Sequence, residues 1–363
     1  MTEQPKTTIG VDLGDKRSVT CVLSAEGEVV EEGQISTTRL GIEKYFKRRG
    51  RARVVLEVGT HSPWVSRVLE EMGHETIVAN ARRVKLISEN VQKGDQIDAE
   101  LLARLGRADV KLLAPITHRK EGTQADLAMI RARDALVRTR TSLVSATRGL
   151  VKSQGERLSS CPAESFHERV SQELPEALKE ALLPMLQVIE KLTLEIRSYD
   201  KQLAEKCRTK YPETEPLLQI SGVGLLTALC YVLTLEDPSR FVNGRQAGAY
   251  LGLVPRKRQS GDSNPQLGIT KNGDSYLRKL LVQCAQVMLG RCGGDSELRR
   301  WGLQKAARGG KGAKKRAIVG VARKLSVIMY RLWKTGERYQ PFPKGKARSA
   351  RLGQRKAVQE TVE

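Results

Sequence analysis

The chain has 363 residues, 39% of them hydrophobic, and a net charge of +22. This composition excludes a disordered polymer and suits two domains, or two with a connector. No run of about eighteen apolar residues occurs, and MTEQPKTTIG lacks the apolar centre of a signal peptide, so no membrane span is expected and the cytoplasm is the expected compartment. The charge is uneven. From Arg299 to Lys356 there are 19 Lys or Arg and one acid, Glu337. That asymmetry suits a polyanionic partner better than a merely soluble basic surface. A membrane surface fits less well, because the whole chain offers three Trp and four Phe as anchors.

Residues 7–118 read as alternating strands and helices. TIGVDLG and VTCVLSAEG are strands, with Glu26-Gly27 as a hairpin turn. VVEEGQIST is a third strand, GIEKYFKRR a short amphipathic helix and ARVVLEVG an apolar strand. SPWVSRVLEEMG reads as a helix with Ser62 as its N-cap, Pro63 at its first position and Gly73 as its stop. HETIVAN is a further strand and DAELLARLGR a further helix. A three-strand meander followed by strand, helix, strand and helix is the ribonuclease-H-like α/β order.

Residues 121–212 change character. Met129, Leu136, Leu143 and Leu150 recur every seven residues, and Ile189, Leu192, Ile196, Tyr199 and Leu203 follow a three-to-four spacing. SSCPAESFHE, Pro175 and Pro184 interrupt the pattern. The segment predicts an antiparallel helical hairpin or dimerising arm, with a plain bundle inside one subunit as the alternative.

A second, mainly helical region starts near residue 213. LLQISGVGLLTALCYVL places a Gly-Val-Gly turn ahead of an apolar helix. Such a turn either offers amides to a phosphate or simply makes a tight helix start. Residues 241–289 read as helix, loop, short hairpin with Asn272-Gly273 as its turn, and helix. AIVGVARKLSVIMYRLW is the last clear helix in a Gly- and Lys-rich tail. The six cysteines are scattered without a CxxC pair, so zinc is not expected and reduced thiols are. None of the four His has metal-ligand spacing.

Four acids carry the chemistry. Asp12 closes IGVD, Glu57 closes RVVLE, and Asp95 and Asp98 share one face at the head of a helix. Crowded carboxylates need cations, and Mg2+ is the expected one for phosphodiester chemistry. Singly, each acid reads as a strand-end charge or a helix-dipole partner; together, in a basic protein, they read as a nuclease site. IGVDLG also opens the sugar-kinase and actin-like ATPases, but the second phosphate loop and the adenosine site of that rival are missing. In PRKRQSGDS, Ser260 follows Arg256, Lys257 and Arg258, cations suited to a scissile phosphate. Spacing alone leaves Ser260, Ser263 and an ordinary turn open.

IGVDLGDK, LEVGTHSPW, KGDQIDAELLAR, ISGVGLLTA, AGAYLGLVPRKRQSG and ITKNGDSYLRKLLVQCA together resemble blocks, in order, of the insertion-sequence transposases of the "one-ten" family, including the "eleven-eleven" group. The resemblance covers nearly the whole chain up to about residue 335. It implies a RuvC-like DEDD domain over 7–118, a helical coiled-coil-like connector over 119–212 and a C-terminal serine domain over 213–335. Residues 336–363 are left as a basic, flexible tail. It implies that Asp12, Glu57, Asp95 and Asp98 bind Mg2+ and that Ser260 forms a covalent link to DNA. A noncoding guide RNA pairing with donor and target DNA, dimers pairing into a tetramer, and acids and serine from different subunits are also implied. Lys271, Arg278, Lys311, Lys314, Lys315 and Arg316 join Arg256, Lys257 and Arg258 as expected nucleic-acid contacts. The resulting expectation is an RNA-guided DNA recombinase of bacterial or archaeal cytoplasm. A RuvC-like junction resolvase or nuclease using water is the alternative, and a non-enzymatic nucleic-acid binder with relict acids stands behind both.

Overall fold

The computed structural model describes residues 7–80, 94–261, 263–265 and 267–343; of the basic tail expected over 336–363, residues 344–363 lie outside them. The chain divides into two compact units, residues 1–120 and 121–363.

The first unit is built on a five-stranded sheet of order β3-β2-β1-β4-β5. Its strands are β1 (Thr8–Asp12), β2 (Arg17–Leu23), β3 (Val29–Ser36), β4 (Arg53–Glu57) and β5 (Glu75–Ala79). β1, β2 and β3 form an antiparallel meander, whereas β4 runs parallel to both β1 and β5. This is the ribonuclease-H-like arrangement that the element order predicts. Helices α1 (Arg39–Phe46) and α2 (Ser62–Glu71) and the face carrying Ile9, Val11, Val54 and Leu56 form one core. Helix α3 (Asp95–Ala108) covers the opposite face, where Cys21, Leu23 and Val55 meet Ala99, Leu102 and Ala103. Central strands covered on both faces read as continuous apolar runs, and TIGV and VVL are such runs. Each fully buried Val, Leu or Ile here contributes about 1.5–3 kcal/mol.

One detail departs from expectation. Ser62 is the first residue of α2, not its cap; His61 holds the cap position without a side-chain cap bond. The Ser62 hydroxyl instead closes the loop behind it. Gly59 N–H donates to its oxygen (3.0 Å), its own O–H donates to the Gly59 carbonyl (2.9 Å), and His118 Nε2 lies 2.9 Å away.

The second unit opens with two long helices, α4 (Glu121–Ser153) and α6 (Lys179–Thr209), joined through the short α5 (Phe166–Ser171). They pair antiparallel, since Asp126 meets Lys206, Arg133 meets Asp200 and Arg140 meets Thr193. The expected hairpin therefore forms, but its seam differs on α4. The heptad Met129, Leu136, Leu143 and Leu150 is only half-buried, with Leu150 46% exposed, and the buried positions are Asp126, Leu127, Ile130, Arg140, Thr147 and Val151. Arg140 won a core place by pairing with Glu164 and Thr193, which a purely apolar pattern cannot anticipate. Pro184 does not break α6; it lies inside its second turn, close enough to the start that only one intrahelical donor is lost.

Beyond α7 (Glu215–Leu218), helix α8 (Leu225–Leu235) is buried throughout from Thr227 to Leu235 and forms the axis of the unit. Helices α10 (Ser275–Leu289) and α12 (Ala313–Thr335) wrap it, with α9 (Gly244–Tyr250) and α11 (Glu297–Ala307) outside. The roots of the hairpin, Leu127, Ile130, Leu203 and Cys207, belong to the same core. In the Gly-Val-Gly turn, Gly222 adopts a φ of +88° and a Cβ there would lie 3.0 Å from Met288, which favours the tight-helix-start reading. The short hairpin expected around Asn272-Gly273 is instead a long loop held by two isolated bridges, Pro255 with Ile269 and Ser260 with Ser263. All six cysteines are free thiols.

Candidate active site

The strand period aims the first two acids. Asp12 shares a face with Gly10, and Glu57 shares one with Val55. Val11 pairs with Leu56 across the parallel strands, so both carboxylates leave the sheet at the same edge, towards α3. Glycine on each element lets helix and sheet approach. A Cβ on Gly10 would lie 1.9 Å from the Ala99 carbonyl oxygen, and one on Gly106 would lie 2.3 Å from Val55 Cγ2. That close docking carries the first turn of α3, with Asp95 and Asp98, to the strand ends.

The electrostatics record the result. Asp12 is raised from 3.8 to about 6, first by burial and then by Asp95, Asp98 and Glu57. Glu57 is raised by burial and by Asp98. Asp98 Oδ1 is buried without a hydrogen-bond partner among the described residues. The four acids thus share one electrostatic field. Among the described residues, no three His, Cys, Asp or Glu side chains stand in a geometry that holds a metal ion as they are. A buried orphan acceptor beside a carboxyl that resists ionisation is nevertheless the donor set a hard divalent cation requires.

Two histidines that spacing did not single out sit in the loops beside these acids. His61 Nε2 lies 3.6 Å from Asp15 Oδ1, and Trp64 Nε1–H donates to His61 Nδ1 at 3.2 Å. Burial, with Arg67 and Arg119 nearby, lowers the pKa of His118 below its ordinary value, and its ring bonds Ser62. For His61 the sequence signal was its position just after Glu57; His118 carried none.

Ser260 stands at the tip of a tight two-residue reversal. Ser260 N–H donates to Ser263 O (3.1 Å) and Ser263 N–H to Ser260 O (3.0 Å), with Gly261 at a φ of +54°. Both serines are exposed, as are Arg256, Lys257, Arg258 and Lys271. Neither hydroxyl has a side-chain partner among the described residues, so this geometry treats the two alike. The base of the loop carries backbone and side-chain hydrogen bonds. Arg256 N–H donates to Gly268 O, and Thr270 N–H to Val254 O, each at 2.9 Å. Arg278 Nη1 donates to Leu251 O (3.1 Å) and Asn272 O (2.7 Å), joining both ends of the loop. Asp274 caps α10 at Leu277 N–H (2.7 Å) and pairs with Arg131 of α4. Arg278, expected as a nucleic-acid contact, is thus engaged with the loop's own carbonyls. Lys311, Lys314, Lys315 and Arg316 are exposed around the start of α12.

Comparison with known proteins agrees with this architecture. A DEDD transposase profile matches residues 9–154, and the profile described as transposase IS116/IS110/IS902 family matches residues 214–301. The transposase for insertion sequence element IS1111A of Coxiella burnetii is 31% identical over 296 residues, 77% of this chain and 77% of the relative. The transposase for IS1328 of Yersinia enterocolitica is 29% identical over 297 residues, 78% of this chain and 84% of the relative. The kinase-like reading of IGVDLG is thereby set aside, as is a purely binding role. The chain is an enzyme of DNA strand cleavage and transfer, and it belongs to the IS110/IS116/IS902 family of insertion-sequence transposases.

Proposed function

We propose that this transposase moves its element by forming a phosphoserine link to DNA at Ser260, assisted by divalent cations, Mg2+ by preference, on Asp12, Glu57, Asp95 and Asp98. The observation that carries the acidic half is the mutual field at Asp12, raised to about 6 among three neighbouring carboxylates. These four carboxylates would hold the cations, which would supply charge neutralisation at the scissile phosphate. Ser260 Oγ forms a new bond to phosphorus and gives up its proton to solvent, while the bridging oxygen of the cut strand leaves and takes a proton as a free hydroxyl. The phosphodiester energy is kept in the serine ester, so rejoining needs no ATP. Arg256, Lys257 and Arg258, exposed beside the serine, hold the phosphate being attacked. In this reading residues 7–118 carry the metal domain, 119–212 the connector and 213–335 the serine domain.

A noncoding RNA guide, donor and target DNA, and dimers pairing into a tetramer complete the proposal. It rests there on family membership and on the exposed cations Lys271, Lys311, Lys314, Lys315 and Arg316. Among the described residues no helix is long and apolar enough to cross a membrane, and the reaction belongs with bacterial DNA in the cytoplasm. A second reading is favoured by one observation. Ser260 has no general base among the described residues, which suits a nuclease or junction resolvase that activates water.

Covalent trapping separates the two. The protein is mixed with Mg2+, RNA from its flanking DNA and labelled element-junction DNA, and resolved on a denaturing gel. A protein–DNA adduct lost in Ser260→Ala and in Asp12→Ala supports serine recombination. Nicked DNA without adduct, retained in Ser260→Ala and lost in Asp12→Ala, would establish hydrolysis instead. An adduct lost only in Ser263→Ala would move the nucleophile.

A further inference from the structure

A cavity of about 500 Å3 lies in the second unit between α9, α11, α12 and the closing segment 339–343, apart from the serine loop. Its volume falls in the range of small-molecule sites. The closing segment is a built wall. Glu297 N–H donates to Pro341 O and Tyr339 N–H to Gln219 Oε1, each at 2.9 Å, and the Arg300 guanidinium stands 4.7 Å over the Phe342 ring.

The lining is apolar below and cationic above. Trp301 lies in the floor with Leu298 and Val327, and the absence of a side chain on Gly320 makes room for the indole, since a Cβ there would lie 3.0 Å from it. Arg245, Arg323, Lys324 and Arg331 surround a single acid, Glu297. Arg331 is 3.8 Å from Glu337, a pair too exposed to bind firmly. Among the described residues, Arg245, Arg323 and Lys324 have no ion-pair partner. Lys324 Nζ stands 3.9 Å over the indole ring instead.

Such a cluster of cations is repulsive until an anion enters. A bare phosphate would leave the aromatic floor unused, and a duplex keeps its bases stacked away from it. A flat ring carrying a phosphate fits both halves. We propose that the cavity receives one unpaired nucleotide of a bound strand, with its base on Trp301 and its phosphates on Arg245, Arg323 and Arg331. The base takes the indole face that Lys324 now covers, and the ammonium turns to a phosphate. The site rests on the family's action on nucleic acid and is independent of the serine chemistry, so a failed covalent trap leaves it standing.

The test uses the full chain and fluorescence anisotropy with labelled oligo-dT, oligo-U of the same length and a hairpin duplex. Trp301→Leu is expected to weaken single-strand binding by about 10-fold, the scale of one lost base–aromatic stack, and duplex binding by less than about 2-fold. Arg323→Gln is expected to weaken single strands several-fold more than duplex. A stronger effect on oligo-U assigns the nucleotide to RNA, and a stronger effect on oligo-dT assigns it to DNA. Equal losses for duplex and single strands, or no loss, overturn the proposal. Because Trp301→Leu risks misfolding, 2-aminopurine emission is read as well. Quenching by the wild-type protein at a single-stranded position supports a stacked base, and unquenched emission overturns it.

Discussion

The acids and the serine are held by opposite means. Asp12 and Glu57 end buried strands, Asp95 and Asp98 open a helix docked on them, and no side-chain loop decides their position. Ser260 is exposed and held only by its backbone pairing with Ser263, whereas side chains tie down the loop's base, where Arg278 joins Leu251 to Asn272. The acids are preorganised by the fold, at the cost of mutual repulsion. Under the proposed mechanism the serine takes its final geometry from the strand it meets. Strand exchange by that mechanism needs both kinds of group, since one must stabilise charge while the other reaches the strand.

The comparison can be broken first at the acids. Asp98→Asn keeps the shape and the Oδ1 acceptor but removes the negative charge, and is expected to lower strand cleavage by about 10³-fold, the scale of losing a transition-state charge partner. Binding of junction DNA should change by less than about 3-fold in a gel-shift assay. Retained cleavage would make the cluster structural.

Next in size is Gly10→Ala. Its Cβ must displace the Ala99 carbonyl, and overpacking of this kind costs about 3 kcal/mol, read as a lower urea midpoint. An unaffected midpoint would mean that α3 is not locked to β1. At the serine, Arg278→Ala should slow adduct formation by about 10–100-fold, the scale of a misplacement near 1 Å, with little change in melting temperature or in the amount of DNA bound. Rescue by Arg278→Lys would show that charge alone suffices, and would weaken the idea of a two-carbonyl staple.

Asp126 sharpens the picture from outside either site. Burial pushes its pKa up, but Lys206, Lys210 and Tyr211 win and hold it at about 2 against the ordinary 3.8. Its contribution is therefore full above about pH 4 and is lost as pH falls towards 2. Asp126→Asn should cost about 2 kcal/mol at neutral pH, the scale of hydrogen bonds to a charged group, and should flatten the acid limb of a stability profile. The smallest effect is expected at Asp12, where the sign reverses. A carboxyl raised to about 6 is neutral in the fold over pH values where the unfolded chain is ionised. Stability falls from about pH 4 to 6 and stays reduced above that. Asp12→Asn should raise the melting temperature at pH 8 by about 2 °C, given roughly 2–4 °C per kcal/mol for a domain of this kind. It should do nothing at pH 4.

Much of the first unit was legible because its signals are local. Apolar strands, Gly73 as a stop and two acids at a helix head each act within a few residues. The four carboxylates could be listed from two strand ends and a helix head, but that they meet depends on Gly10 and Gly106, whose meaning appears only once helix and sheet are face to face. In the second unit, periodicity misled on α4, because Asp126 and Arg140 occupy the seam through partners 85, 53 and 24 residues away, and Thr147 satisfies its hydroxyl on Leu143 O of its own helix. Arg278 looked like one more cation among many. Its two carbonyl partners are contributed by a loop whose path no pattern announces.

The paired long helices have one further consequence. α4 runs for 33 residues and α6 for 31, and at 1.5 Å per residue each spans about 45–50 Å. The hairpin is thus a ruler fixed at its root by Asp126 and the shared core. Removing one residue from each helix would shorten it by about 1.5 Å and swing its tip by about 100°. Removing seven from each would shorten it by about 10 Å and leave the tip nearly in phase. Paired deletions would therefore separate a requirement for reach from a requirement for direction.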